Sequence, residues 1–362
     1  MKIAVLGGGS GAQATAADLS LAGHEIRLAE LAPFAENIAA MQALGGIHLT
    51  GVAPMGGASG FARVHLATVD IRAAVRGADL IMVIVPAYGH EAFMRELVAC
   101  AENGQLVVFA GYFGALAFGK MLADAGRKDD LLVAETASLI YICRVQGSGR
   151  VWIKAGKQKM PFAALPASRT PEALNRIHSV YPQLVPAQNV FETGTNEAGL
   201  LVHPVTTLLN LSRIEQIGPY RSTYYDLTPG VGRIMDAVDG EKQALQAALG
   251  LRQVSLPMLI HEFFGVTGAN SYEIIHACPN YSSQTTPDNL QHRYVTEDVP
   301  FGLVPIVSIG GQLGLEMRVT RGLISLASAA NGEDYLQTGR TAERLGLSGM
   351  SRDEMIQFVS CG

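Results

Sequence analysis

The sequence predicts a doubly wound α/β domain at the N-terminus followed by an all-α domain at the C-terminus, and three observations carry that prediction. A glycine-rich turn, "VLGGGSGAQ", stands between a short β-rich run and an alanine-rich helical stretch. The apolar runs that follow are continuous rather than alternating, as strands covered on both faces of a parallel sheet must be. From roughly residue 185 onward, long stretches place apolar residues at helical spacing, and strand-like runs become few.

The elements follow in order. "KIAVL" (2–6) is the first strand, "GAQATAADLSLAG" (11–23) a helix ending at Gly23, and "HEIRLAE" (24–30) the second strand, which together make a βαβ unit. Buried strands are expected at "LIMVIV" (80–85), "QLVVFA" (105–110) and "LLVAE" (131–135), with helical stretches such as "HEAFMRELVACAEN" (90–103) between them. "RVWIKAGKQKMPFAAL" (150–165) reads as extra, antiparallel strands with lysines turned to solvent, and "PASRTPEALNRIHSVYP" (166–182) as a proline-bounded helix. Helices are then expected over 204–216, 230–249, 253–265, 302–313 and 316–330. With no internal repeat or low-complexity segment, the change of character alone sets a boundary near 184, giving domains 1–184 and 185–362.

Composition narrows the function. A chain of 362 residues exceeds what one hydrophobic core normally supports. Hydrophobic residues make up 48% and charged residues 16%, which suits a packed globular protein rather than a disordered one. The net charge of −5 and the absence of a Lys/Arg run argue against nucleic acid and toward small-molecule partners. Cys100, Cys143, Cys278 and Cys361 form no CxxC or paired framework, which suits a reducing compartment. Glycines follow the short apolar start at once, without a cleavage-type segment, so the cytoplasm is expected. The most apolar stretches fall short of the roughly 18 residues that a membrane span needs.

The glycine-rich turn supplies Gly7, Gly9 and Ala12 in the spacing GxGxxA, with Gly8 and Gly11 as additional glycines. The spacing alone also occurs in ordinary turns; its position after a strand, opening a helix and inside a βαβ unit makes it the dinucleotide fingerprint of a Rossmann-type domain. Gly7 permits the tight turn, Gly9 lets a pyrophosphate approach the backbone, and Ala12 lets helix and strand pack closely. The N–H groups around Ser10 and Gly11 and the helix dipole favour the phosphates. Glu30 ends the second strand, where an acidic side chain hydrogen-bonds the adenosine ribose; the alternative is a solvated strand-end carboxylate. Its charge would repel a 2′-phosphate, and no Arg or Lys lies between Leu31 and Phe61, so NAD is favoured over NADP. Val85, Pro86 and Ala87 lie at a strand end where the nicotinamide side should rest, as does "FAGYFG"; packing is their other reading.

The second half offers the acid/base candidates. No lysine occurs from 181 to 230, but "GLLVHPVTTLLN" holds His203 directly before Pro204, which reads as a helix start or kink with Pro204 at a first helical position. "QHRYVTEDVPFGLVP" (291–305) adds Arg293 and Asp298. The cluster Tyr220, Arg221, Tyr224 and Tyr225 either lines a substrate pocket or packs. The other histidines show no HExxH or paired spacing, so no metal site is expected.

This combination resembles the octopine/nopaline (opine) dehydrogenase family, in particular its bacterial members that make N-(1-carboxyethyl)norvaline-type compounds. The resemblance runs over nearly the whole chain, through the GxGxxA start, "DLIMVIVPA", "ETASLIYICR", "VHPVTTLLN", "RYVTEDVPFGLVP" and "GRTAERLGLSGMS". It implies reductive condensation of an amino acid's amino group with a 2-oxo acid, often pyruvate, using NADH or NADPH. It also implies that His203 is the catalytic histidine, Asp298 its partner and Arg293 the nearby arginine. Imidazole titrates near the working pH, so it can take a proton from an ammonium and give one to a departing hydroxyl. A carboxylate partner would fix its tautomer, and an arginine fork matches a substrate carboxylate, although Arg293 also reads as a structural ion-pair partner. One departure stands out. Where the family leads one to expect Asn a helical turn before the histidine, this chain has Gly199, so either Asn196 substitutes or the local bonding differs. A plain 2-hydroxy-acid dehydrogenase and a non-catalytic NADH sensor are the competing functions, and the apolar helices leave a homodimer open.

Overall fold

The computed structural model describes residues 1–217, 227–282 and 285–361. The chain divides into two compact units, Met1–Val190 and Phe191–Gly362.

The first unit contains twelve strands: β1 (Lys2–Leu6), β2 (Glu25–Ala29), β3 (Gly46–Gly51), β4 (Gly60–Arg63), β5 (Leu66–Thr68), β6 (Leu80–Val83), β7 (Leu106–Ala110), β8 (Leu132–Thr136), β9 (Tyr141–Gly147), β10 (Arg150–Gly156), β11 (Met160–Leu165) and β12 (Leu184–Pro186). Eight of them form one sheet in the order β12-β11-β8-β7-β6-β1-β2-β5. All its pairings are parallel except β11 with β8. Strand β1 sits inside this sheet, and Ile3 to Leu6 are wholly buried, which is why its sequence runs apolar without alternating.

The helices of this unit are α1 (Ser10–Leu21), α2 (Glu36–Leu44), α3 (Ile71–Val75), α4 (His90–Cys100), α5 (Gly114–Asp124) and α6 (Thr170–Ile177). The order reverses direction around β1, which makes the domain doubly wound and puts a crevice at the carboxyl ends of β1 and β6.

A second sheet, β4-β3-β10-β9, goes beyond what the apolar runs announce. The expected antiparallel extension at 150–165 is divided between the sheets: β10 pairs with β9 and, in parallel, with β3, whereas β11 joins the main sheet. Helix α1 packs on this second sheet as well, and buried Asp18 accepts hydrogen bonds from the backbone of Met55 and Gly56 in the β3–β4 connection.

The second unit is helical. α7 (Val190–Thr195) straddles the division, followed by α8 (Gly199–Leu208), α9 (Leu211–Ile217), α10 (Pro229–Ala248), α11 (Leu256–Phe264), α12 (Ser271–Ala277), α13 (Arg293–Thr296), α14 (Val304–Gln312), α15 (Arg318–Asn331), α16 (Tyr335–Thr338) and α17 (Arg352–Cys361). A π-helical turn, Val299–Leu303, leads into α14. Helix α10 buries an ion pair: Lys242 Nζ lies 2.8 Å from Asp239 and donates to the Val254 carbonyl at 2.7 Å, tying down the chain that enters α11. Helix α8 packs against α10, α13 and α15, so its apolar run is core on nearly every side. Among the described residues no helix is long and apolar enough to cross a membrane.

Of the two readings of the His203–Pro204 pair, a helix start or a kink, the start at Pro204 is not what forms: that residue lies inside α8, and His203 is the fifth residue of the helix rather than a residue ahead of it. Glu197 Oε1 accepts from the Gly199 N–H at 2.9 Å, and the Leu201 and Val202 N–H groups reach the Ala198 carbonyl, so the helix begins a turn before the proline. Burial of this helix compensates for the bond that proline removes.

Candidate active site and cofactor turn

In the first unit the glycine turn is built as its spacing implies. Gly7 follows β1 at φ +120°, and its N–H donates to the Ala29 carbonyl at 2.7 Å. A Cβ there would lie 2.5 Å from the Ile84 carbonyl oxygen and 2.6 Å from Val85, where the ends of β1 and β6 meet. Gly9, by contrast, precedes α1 and faces open space: a Cβ at this position would meet no heavy atom within 4 Å. No side chain caps α1, so its first turn keeps N–H groups without a side-chain partner beside that space, which fits the pyrophosphate of a dinucleotide.

Ala12 is buried against the sheet. The Ser10 hydroxyl accepts from the Val145 N–H at 3.1 Å and so holds β9 as well as opening the helix. Two further residues that the fingerprint does not mark contribute to the turn. Gly8 is wedged against Asn37 and Glu30, and Gln13 donates to the Gly8 carbonyl at 2.8 Å, bracing the turn from within α1.

Glu30 closes β2 beside Gly8. One of its oxygens accepts from the Leu31 N–H at 2.8 Å, and the other faces Asn37 Nδ2 at 3.4 Å. That placement fits an adenosine ribose and sets a negative charge where a 2′-phosphate would lie. Val85 and Pro86 are half-buried and Ala87 is buried after β6; Val85 packs on the glycine turn. At the end of β7, Gly111, Tyr112 and Phe113 all have left-handed φ, of 82°, 61° and 57°. Two successive non-glycine residues in that region store strain of about 1–3 kcal/mol each, and such strain gathers at functional sites. The sequence carries no signal for it.

In the second unit, His203 and Asp298 come together across 95 residues of chain: Nδ1 lies 3.0 Å from Asp298 Oδ2. Asp298 is fully buried, while 16% of the His203 side chain remains exposed. A carboxylate accepts only, so the imidazole donates through Nδ1–H and leaves Nε2 as its proton-accepting atom. Asp298 immediately precedes the π-helical turn, a distortion that recurs at functional sites.

Gly199 explains the missing asparagine. A Cβ at 199 would lie 2.9 Å from Asp298 Oδ1 and 3.0 Å from His203 Nδ1, so the pair occupies the room that a side chain would need. Asn196, the other residue considered for that role, is buried, and its Oδ1 accepts from Gln246 of α10 at 3.0 Å.

Arg293 opens α13 and pairs with Glu297 at 2.9 Å, with 48% of its side chain exposed and Glu297 buried. Two neighbours join the site without a motif to announce them. The ring of Tyr294 stacks on His203 with centroids 3.7 Å apart and planes 10° from parallel. His292 meets the edge of Tyr294 at 4.5 Å and accepts its backbone N–H through Nδ1. Burial, then Arg293, then His203 push His292 down to about 4, so it is neutral at pH 7. Tyr220, Arg221, Tyr224 and Tyr225 lie outside the described residues. Among the described residues, no group of three or more His, Cys, Asp or Glu side chains is placed to hold a metal ion.

Comparison with known proteins agrees with both halves. Residues 186–331 match the family model for the NAD/NADP octopine/nopaline dehydrogenase α-helical domain, and residues 2–110 match that for coenzyme F420-dependent NADP oxidoreductases. The opine dehydrogenase of Arthrobacter sp. (strain 1C) is 35% identical over 350 residues, covering 96% of each chain. The octopine dehydrogenase of Pecten maximus is 22% identical over 376 residues, covering 94% of this chain and 92% of that one. Among solved structures, octopine dehydrogenase in complex with NADH and agmatine superposes with a TM-score of 0.78 at 18% identity, covering 98% of both chains. Yersinopine dehydrogenase with NADP+ bound gives 0.73 at 17%, covering 99% of this chain and 97% of that one. The whole-length match at 35% identity, together with the helical-domain match, places this chain in the opine dehydrogenase family.

Proposed function

We propose that this protein is an NADH-dependent opine dehydrogenase, which condenses the amino group of an amino acid with a 2-oxo acid, pyruvate first among them, to give an N-(carboxyalkyl) amino acid, and runs the reverse oxidation. The observation that carries the reading is the buried Asp298 holding Nδ1 of a partly exposed His203 in a member of this family. Solved octopine dehydrogenases in complex with NADH and L-arginine or pyruvate support the same substrate classes.

His203 Nε2 takes a proton from the substrate ammonium, freeing an amine to attack the 2-oxo carbonyl. The imidazolium then returns the proton to the hydroxyl that leaves as water, giving the protonated imine. As positive charge develops on the ring, the Asp298 carboxylate stabilises it and keeps the tautomer fixed. Arg293 offers a guanidinium fork that matches a substrate carboxylate. Bound at the glycine turn, NADH supplies the hydride that reduces the imine. Glu30 favours it over NADPH. A cytoplasmic setting belongs to the same reading, supported by four cysteines of which none forms a disulfide.

The test is NADH oxidation with pyruvate, with and without a panel of amino acids, for wild type and His203→Ala. Oxidation is expected only with particular amino acids, and the variant is expected to lose about 10²- to 10⁴-fold in kcat. Oxidation by pyruvate alone would make this a hydroxy-acid dehydrogenase. Binding of NADH without turnover across the panel would leave a sensor.

A further inference from the structure

We infer that Tyr294 is a positioning residue for the reaction, the platform that sets the plane of the His203 ring; this rests on the reading of His203 as the acid/base group. The hydrogen bond from Nδ1 to Asp298 and the Cβ–Cγ bond anchor one edge of the imidazole, but rotations about χ1 and χ2 still let the ring plane swing. Nε2, on the far side, moves most when it does. Proton transfer needs Nε2 within hydrogen-bond reach and in line, and displacement of about 1 Å can cost on the order of 100-fold in rate. What removes the swing is the parallel contact with Tyr294, 3.7 Å between centroids at 10°.

Tyr294 is itself held on several sides. It is 9% exposed, its edge abuts His292 at 4.5 Å and 80°, and the Arg293 guanidinium carbon lies 5.8 Å from its centroid. Its placement follows from the sequence "RYVTED": Tyr294 and Asp298 are four residues apart on one continuous stretch, so the same segment delivers the carboxylate to the edge of the imidazole and the phenol ring to its face. The phenol face also favours the cationic ring that forms during turnover, because the ring quadrupole is negative there. Aromatic packing alone would be satisfied by edge-to-face or offset contacts; a nearly parallel, centred arrangement on the imidazole is what positioning requires.

The experiment compares Tyr294→Phe, Tyr294→Leu and Tyr294→Met with wild type and His203→Ala, reading kcat and KM for NADH, oxo acid and amino acid, with thermal unfolding as the control. Tyr294→Phe keeps the ring face and is expected to stay within about threefold of wild-type kcat, whereas Leu and Met lower kcat by roughly 10- to 100-fold with each KM changed less than about twofold. The inference is overturned if Leu or Met, folded, turns over like wild type, if Phe falls as far as they do, or if the loss appears in KM instead. Should Leu fail to fold, Met decides, and should both unfold while Phe is fully active, the ring is structural and the inference also fails. Failure of the underlying reading shows separately, as a His203→Ala protein that remains active.

Discussion

Gly7 and Gly9 are two positions apart in one turn and are glycines for different reasons. At Gly7 the reason lies in the protein: the left-handed φ and the 2.5 Å approach of the Ile84 carbonyl exclude any Cβ. At Gly9 the fold itself leaves the space open, and the proposed dinucleotide is what would fill it. Gly7→Ala is therefore expected to destabilise the protein by about 1–3 kcal/mol, read by denaturant unfolding. Gly9→Ala should unfold at the wild-type midpoint yet weaken NADH binding by on the order of tenfold, about 1.4 kcal/mol, read by fluorescence titration. A stable Gly7→Ala protein, or one with Gly9→Ala that binds normally, would reverse these assignments. Both glycines were legible in the sequence because the fingerprint is local. Gly199 was legible only as an oddity: its reason is Asp298, brought to it by the fold from 99 positions away, and no spacing rule reaches that far. Tyr294 and His292 were illegible for a different reason: aromatic rings near a motif normally signal packing.

At the scale of elements, two helices carry predictions. In α10, Lys242 is 1% exposed and its charge is balanced by Asp239. Lys242→Met would leave that carboxylate buried without its cation, at an expected cost of about 3–5 kcal/mol in denaturant unfolding. At the start of α13, His292 titrates near 4 in the folded chain against an ordinary 6.5. Between those values the unfolded chain binds a proton that the folded chain does not, so stability falls as pH drops through 6.5 toward 4 and this contribution levels off below 4. His292→Gln should flatten the unfolding midpoint across that window, and an unchanged slope would assign the acid sensitivity to other groups. Long helices such as α10 and α15 were legible from periodicity over many turns. The start of α8 was not, because proline's local preference was set against a capped, wholly buried turn whose apolar residues carry no period. The π-helical turn ahead of α14 was likewise absorbed into one expected helix over 302–313.

For the whole molecule, the doubly wound order was legible because each buried strand announces itself as an apolar run. The second sheet was not: β3 and β4 are short, glycine-flanked and half exposed, and β3 finds its parallel partner β10 about a hundred residues later. That wiring, with antiparallel β11 as the neighbour of β8, has a consequence for how the chain is made. Every strand from β1 to β8 has been synthesised by residue 136, yet β8 keeps a bare edge until Met160–Leu165 arrives, and β3 lacks one partner until Arg150–Gly156 does. At about 5–20 residues per second, the nascent chain spends seconds with an open hydrogen-bonding edge along β8. A fragment ending at Gly147 makes that interval permanent and is expected to aggregate in light scattering, whereas one ending at Val190 stays dispersed. The antiparallel strand thus works as a late bolt on the first unit, and a ribosome stalled shortly before it would release a chain prone to join its neighbours edge to edge.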